Sequence, residues 1–188
     1  MNIIEKQIKK CWFRTFSGKL IDPENPEPSD ITSIDIARSL SLQCRYGGQI
    51  SFFYSVAEHS LLVRKLIMSG RVNKADELSW ENCRAWELEI GALLHDSTEA
   101  YISDIPTPFK KLLPGYYDLE KKLLKVIHRK YNLKLNSDEE KIIDFYDKKV
   151  LEIEMPYLFN DPNYQHKLSC YDSNTSFSLY LNALLQYE

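Results

Sequence analysis

The sequence predicts an all-α domain, and three observations carry that reading. Apolar residues recur at helical spacing through most of the 188 residues. Capping residues and Gly or Pro punctuation separate these stretches. Aromatic and β-branched residues in a strand-like run are confined to one short segment, "CRYGGQISFFY" (44–54), which holds the Gly47-Gly48 turn and reads as a loop or short hairpin.

The elements follow in order. "IDPENPEPSD" (21–30) holds three of the eight prolines, so it reads as an extended connection that closes an N-terminal extension over 1–30 and leaves the domain proper at 31–188. "SIDIARSLSL" (33–42) reads as a short helix. "SVAEHSLLVRKLIMSG" reads as a helix from an N-cap at Ser55 to Gly70, with Val56, Leu62, Val63, Leu66 and Ile67 as its apolar stripe. One longer helix is expected over 80–102. Pro106 and Pro108 then force a rigid link, after which Leu119, Leu123, Val126, Ile127 and Tyr131 mark another helix. Ser137 with Glu140 has the form of a capping box for "DEEKIIDFYDKKVLEIEM". A last helix is expected from about Thr175 to Leu185, for six or so helices in all.

Composition narrows the function classes. With 44% hydrophobic and 27% charged residues the chain can bury a core as one domain. A formal net charge of -3 does not fit a binder of nucleic-acid polymers or of membrane surfaces. Cys11, Cys44, Cys83 and Cys170 are widely spaced, which suggests reduced thiols rather than a disulfide scaffold or a zinc ribbon. No stretch approaches the length of a membrane span and the first residues lack a leader's apolar run, so a cytoplasmic protein is expected.

The chemistry concentrates in "ALLHDSTEA" (92–100), where acids and a histidine follow an apolar run. His95 and Glu99 are four residues apart and share a helix face, with Asp96 beside them. Imidazole nitrogen with carboxylate oxygen suits a borderline divalent ion. His59 falls on the flank of a buried stripe, where a histidine needs a polar partner or a metal. In the helix after Ser137 the apolar residues Ile142, Ile143, Tyr146, Val150 and Ile153 point one way. Asp147 lies about 90° from that direction and Asp144 nearly opposite, which makes Asp147 the acid able to reach an interior site.

This ordered pattern, His59, His95-Asp96 and Asp147 on separate helices, resembles the HD-domain metal-dependent phosphohydrolases. "SVAEHS", "LLHDSTEAYISDIPTPFK" and "DKKVLEIE" are similar to blocks of the small 5'-deoxynucleotidase-like branch, near the phage dATP triphosphohydrolases. The resemblance covers roughly residues 30–155 and departs from larger relatives at Gln49, where these often carry histidine. It implies a single HD-domain helical bundle. It implies metal ligands at His59, His95, Asp96 and Asp147, and catalytic acids at Glu99 and Asp104. It implies substrate contacts from Arg45, Tyr46 and Lys110 or Lys111.

The implied activity is hydrolysis of deoxynucleoside 5'-phosphates, by release of phosphate from monophosphates or of triphosphate from triphosphates. The implied cofactor is one divalent ion (Mn, Co, Zn or Fe, with Mg possible), and the implied assembly is a homo-oligomer binding a small deoxynucleotide. The competing expectations are a catalytically silent HD domain that senses nucleotides and an HD hydrolase of an alarmone or cyclic nucleotide.

Overall fold

Helix α1 (Ser33–Leu42) starts where the Thr32 side chain accepts the Asp35 backbone N–H, and it buries Ile36, Ala37 and Leu40. The structure, a computed structural model, describes residues 12–73, 78–164 and 167–188. The remaining α-helices are α2 (Val56–Asn73), α3 (Ala85–Leu94), the single turns α4 (Glu99–Ile102) and α5 (Thr107–Lys110), then α6 (Tyr116–Lys130), α7 (Ser137–Leu158) and α8 (Ser173–Leu184). The fold is all-α. Among the described residues the one sheet is a two-residue antiparallel ladder, β1 (Phe13–Arg14) with β2 (Leu20–Ile21), paired Phe13 to Ile21. Its turn is docked on α1, because the Asp35 carboxylate accepts the Ser17 N–H at 2.6 Å and the Ser17 hydroxyl at 2.7 Å. The first eleven residues of the 1–30 extension lie outside the described residues.

α3 sits at the centre, packed between α2 and α7. Leu88 and all of residues 90–94 are buried, so the second half of this helix is enclosed on all sides, while Trp86, Glu87 and Glu89 in the first half reach solvent. Gly91 costs an isolated helix about 1 kcal/mol, but each buried Leu or Ile returns about 1.5–3 kcal/mol, so burial decides. A Cβ there would stand 2.7 Å from Ile143 Cδ1 and 3.1 Å from Leu135 Cδ2, so these side-chain ends would have to shift. That close approach of α3 to α7 brings the end of α3 to the acids of α7. No helix among the described residues is long and apolar enough to cross a membrane, and Cys44, Cys83 and Cys170 are free thiols.

Several expectations change in physical detail. The expected 80–102 helix begins only at Ala85, since residues 80–84 form a turn, and it is two helices, because the chain leaves α-helical bonding at residues 95–98. There the Ser97 hydroxyl donates to the Leu94 carbonyl at 2.6 Å, and i→i+3 bonds such as Glu99 N–H to Asp96 O replace i→i+4 bonds. The capping box at the start of α7 is Asn136 with Glu139, one residue before Ser137 and Glu140. Glu139 takes it because it is buried and also accepts from Arg84, whereas Glu140 is exposed. α2 runs on to Asn73, and α7 continues through Pro156 for one more half-turn to the buried Leu158. Leu119 is 37% exposed, and the buried face of α6 is made by Tyr116, Leu123, Val126 and Ile127 instead.

The Glu139 cap is testable. Its carboxylate accepts from the Arg84 N–H at 2.8 Å, Arg84 Nη2 at 2.7 Å and the Asn136 N–H at 2.9 Å. Burial alone would raise the Glu139 pKa, but Arg84 and these N–H donors hold it below its ordinary value. Glu139→Gln is expected to cost about 1–3 kcal/mol near neutral pH by chemical denaturation. A depressed folded pKa contributes stability above the unfolded value and loses it on acidification. The gap between wild type and variant should therefore shrink as pH falls through the carboxylate range.

Candidate metal centre

His59 lies in the middle of the buried face of α2, fully buried between Val56, Ser60 and Val63, rather than on its flank beside Leu62 and Leu66, which are only partly buried. The Ser55 hydroxyl caps this helix by accepting the Glu58 N–H at 3.1 Å. His95 and Asp96 follow the last turn of α3, and the 95–98 turn directs both side chains at His59. Asp147 comes from the face of α7 that α3 leaves uncovered.

The hydrogen bonds assign both imidazole tautomers. His59 Nδ1 is 2.7 Å from Glu154 Oε1, and His95 Nδ1 is 2.8 Å from the Ala92 carbonyl. Carboxylate and carbonyl oxygens only accept, so each Nδ1 carries a hydrogen, and in the neutral ring each Nε2 presents a lone pair. The two Nε2 atoms face each other at 3.2 Å. Asp96 Oδ2 stands 3.3 Å from His95 Nε2 and 3.7 Å from His59 Nε2, while Asp147 Oδ1 stands 3.0 Å from His59 Nε2 and 3.9 Å from His95 Nε2.

With both rings neutral, four acceptors thus converge with no hydrogen of their own to share. Ligands about 2.0–2.1 Å from a tetrahedral ion stand roughly 3.3 Å apart, within the span of these separations. The donor atoms of His59, His95 and Asp96 all lie within 4.8 Å of one another, and this group could hold a metal ion. Asp147 is not in that group; it stands beside it, in contact with both histidines. Asp144 is exposed and pairs with Lys148 at 2.6 Å.

The electrostatics reflect the crowding. Burial would lower the His95 pKa, yet Asp96 and Asp147 push it up to about 9. Burial would raise the Asp96 carboxyl, yet His95, His59 and Arg45 hold it far below the usual range. A positive charge between these groups is what the site favours.

Beside the donors lies a cavity of about 280 Å³ lined by Arg45, Tyr46, Asp96, Glu99, Asp104, Lys110 and Asp147, with an apolar wall that includes Ile105, Pro106, Leu151 and Met155. A larger depression of about 840 Å³, flanked by Lys122, Lys125 and Arg129, touches none of the candidate site residues. Glu99 is 3% exposed. Burial first, then the charges of Asp96 and Asp104, raise its pKa to about 8 against the pull of Lys110. Lys110 bridges Glu99 at 3.0 Å and Glu120 at 3.3 Å. Asp104 is fixed by its N–H to Gln43 Oε1 at 2.8 Å, and burial raises its carboxyl. Lys111 points to solvent and is not among the residues lining the cavity, so of the two lysines only Lys110 reaches it.

Sequence reasoning missed Glu154. This fully buried acid on α7 accepts from His59 Nδ1 and from the Tyr46 hydroxyl at 3.0 Å, and Arg45 Nε lies 3.4 Å away at ion-pair distance. The available signal was its spacing, seven residues after Asp147 and hence on nearly the same face. Arg45 also reaches Asp96 Oδ2 at 3.3 Å through Nη1.

No protein-family model matches the chain. It is similar to two curated proteins, each named only as uncharacterized. YfdR of Escherichia coli strain K12 is 42% identical over 122 residues, 65% of this chain and 59% of that protein. RCAP_rcc00048 of Rhodobacter capsulatus is 36% identical over 129 residues, 67% of this chain and 61% of that protein. The chain thus spans about three fifths of the length of the curated relatives it matches.

Divalent-ion titration followed by thermal unfolding tests the centre. An ion at 100 times its dissociation constant should add about 2.7 kcal/mol of stability. Asp147→Asn should weaken that gain and His59→Ala should abolish it, whereas Asp144→Asn should match wild type. A gain that survives in His59→Ala would place the ion elsewhere.

Proposed function

We propose that the chain is an HD-type metal-dependent phosphohydrolase acting on deoxynucleoside 5'-phosphates, with monophosphates the better substrates. The observation that carries this reading is the convergence of two imidazole lone pairs and two carboxylates beside a cavity that holds an arginine and a buried acid. His59, His95, Asp96 and Asp147 would hold one divalent ion such as manganese, cobalt, zinc or iron, which supplies Lewis acidity and brings the ionisation of water towards neutral pH.

The remaining steps belong to the chain's own groups. Arg45 is held cationic between Asp96 and Glu154 and offers its guanidinium to phosphoryl oxygens. Glu99 keeps a proton near neutral pH because it is buried beside Asp96 and Asp104. With the charge of Asp96 balanced, its pKa moves down towards the working pH, where a carboxylate takes a proton from the attacking water most effectively. Asp104 faces the same cavity as a second acid/base or as acceptor for a sugar hydroxyl. Tyr46, Ile105, Pro106, Leu151 and Met155 offer apolar surface to the deoxyribose and base.

Charge favours the monophosphate. Four carboxylates, Asp96, Glu99, Asp104 and Asp147, line the cavity against two cations, Arg45 and Lys110. Both cations are already paired with acids. A divalent ion and these two cations only offset the four carboxylates, so every phosphate charge adds to the burden, and a triphosphate adds more of it than a monophosphate.

The test is turnover of dNMPs and dNTPs by ion-loaded protein, with the released phosphate species identified. Orthophosphate from dNMPs is expected. Glu99→Gln should retain the ion by elemental analysis and lose about 10²–10⁴ in rate. An ion-loaded protein that binds deoxynucleotides without turning them over would instead be a sensor module.

A further inference from the structure

Stability does not explain why Glu154 is ionised and fully buried. A buried ion pair returns in attraction roughly what its desolvation costs, and apolar replacements of such pairs are often as stable. The geometry gives another reason. Oε1 accepts from His59 Nδ1 at 2.7 Å, which fixes the tautomer and aims Nε2 at the donor cluster. Oε2 accepts from the Tyr46 hydroxyl at 3.0 Å and lies 3.4 Å from Arg45 Nε. One carboxylate therefore touches a candidate ion ligand with one oxygen and the anion-facing loop with the other.

The local structure serves this arrangement. Tyr46 holds φ +56° and Gly47 φ +61°, a left-handed pair that a tyrosine adopts only against a steric cost. This turn carries the Tyr46 hydroxyl to Glu154, and the ring then meets Phe159 edge-on at 5.5 Å between centroids. The Arg45 guanidinium lies against the same ring, 5.4 Å from its centroid. On α7, Asp147 and Glu154 lie seven residues apart and share a face, while Leu151 and Met155 wall the cavity. One helix thus carries an ion-ligand carboxylate and the carboxylate that orients another ligand.

We propose that Glu154 is a positioning residue that sets His59 and the Arg45–Tyr46 pair in register, so that affinity for the ion and affinity for the phosphate group are coupled through it. This rests on the phosphohydrolase reading above, and it adds a residue that touches neither substrate nor ion.

The experiment compares wild type, Glu154→Gln and Tyr46→Phe by calorimetric binding of Mn²⁺. It also measures inhibition of dNMP hydrolysis by inorganic phosphate at saturating ion, with KM and kcat resolved separately. Loss of the carboxylate charge should weaken Mn²⁺ binding about 10–100-fold. At saturating ion it should also raise KM and the phosphate inhibition constant. Tyr46→Phe should raise the phosphate constants and leave Mn²⁺ affinity unchanged.

If Glu154→Gln changes only thermal stability, Glu154 is structural and the proposal falls. If it changes Mn²⁺ affinity alone, the coupling falls. Should the variant fail to fold, imidazole ¹⁵N spectra of the wild type decide. An Nδ1–H tautomer at His59 with a strongly hydrogen-bonded proton supports the proposal, and an Nε2–H tautomer overturns it. A wild type that binds Mn²⁺ and shows this tautomer without hydrolysing deoxynucleotides defeats the proposed function but not the orienting role of Glu154.

Discussion

Two imidazole rings, each with its Nδ1 hydrogen already given away, set the terms for the rest of the molecule. Glu154 accepts a hydrogen bond from one and the Ala92 carbonyl from the other, so with both rings neutral two Nε2 lone pairs meet 3.2 Å apart with carboxylates on either side. Such a cluster is unfavourable unless positive charge enters it, because buried acceptors without a donor lose their hydration for nothing. The upward displacement of His95 and the downward displacement of Asp96 are two expressions of that same demand.

Holding the cluster in place requires rigid elements from three parts of the chain. α2 and α7 are long helices that pack on the largely apolar α3. Gly91 lets α7 approach closely enough for Asp147 and Glu154 to face the end of α3. The Gln43 side chain ties the link to α1, donating to the Glu99 carbonyl and accepting the Asp104 N–H, so the acids beyond the histidine pair also rest on a scaffold. The site is therefore built mainly on helix ends and helix faces, where backbone positions are well determined, rather than on long loops.

Much of this was legible in the chain before any coordinates. The Ser33–Leu42 helix follows from its apolar period, and α2 from Ser55 and the buried positions Val56, Val63 and Ile67. The placement of His59, the His95-Asp96 pair and Asp147 on three elements was readable because the first three interrupt apolar runs and Asp147 flanks an apolar face. Less legible were effects that depend on competition between neighbours. Ser97 breaks the helix through a hydroxyl bond that pattern alone does not weigh, and Asn136 outcompetes Ser137 as cap because Glu139 has Arg84 as a partner. Glu154 escaped notice because "VLEIEM" alternates in a way that suits a partly solvated helix. Only the arrival of His59, Arg45 and Tyr46 from distant positions gives this acid its role. Lys110 and Lys111 were equivalent in sequence, and the short α5 turn separates them, one towards Glu99 and the other to solvent.

On the proposed reading His59 and His95 ligate a single ion through Nε2 together with carboxylate oxygen. X-ray absorption at the metal edge of cobalt- or zinc-loaded protein measures this directly. The account predicts two imidazole scatterers with nitrogen at about 2.0–2.1 Å and the remaining first-sphere atoms oxygen at about 2.0–2.2 Å. A first sphere of oxygen alone, or a spectrum with no imidazole scattering, would contradict it.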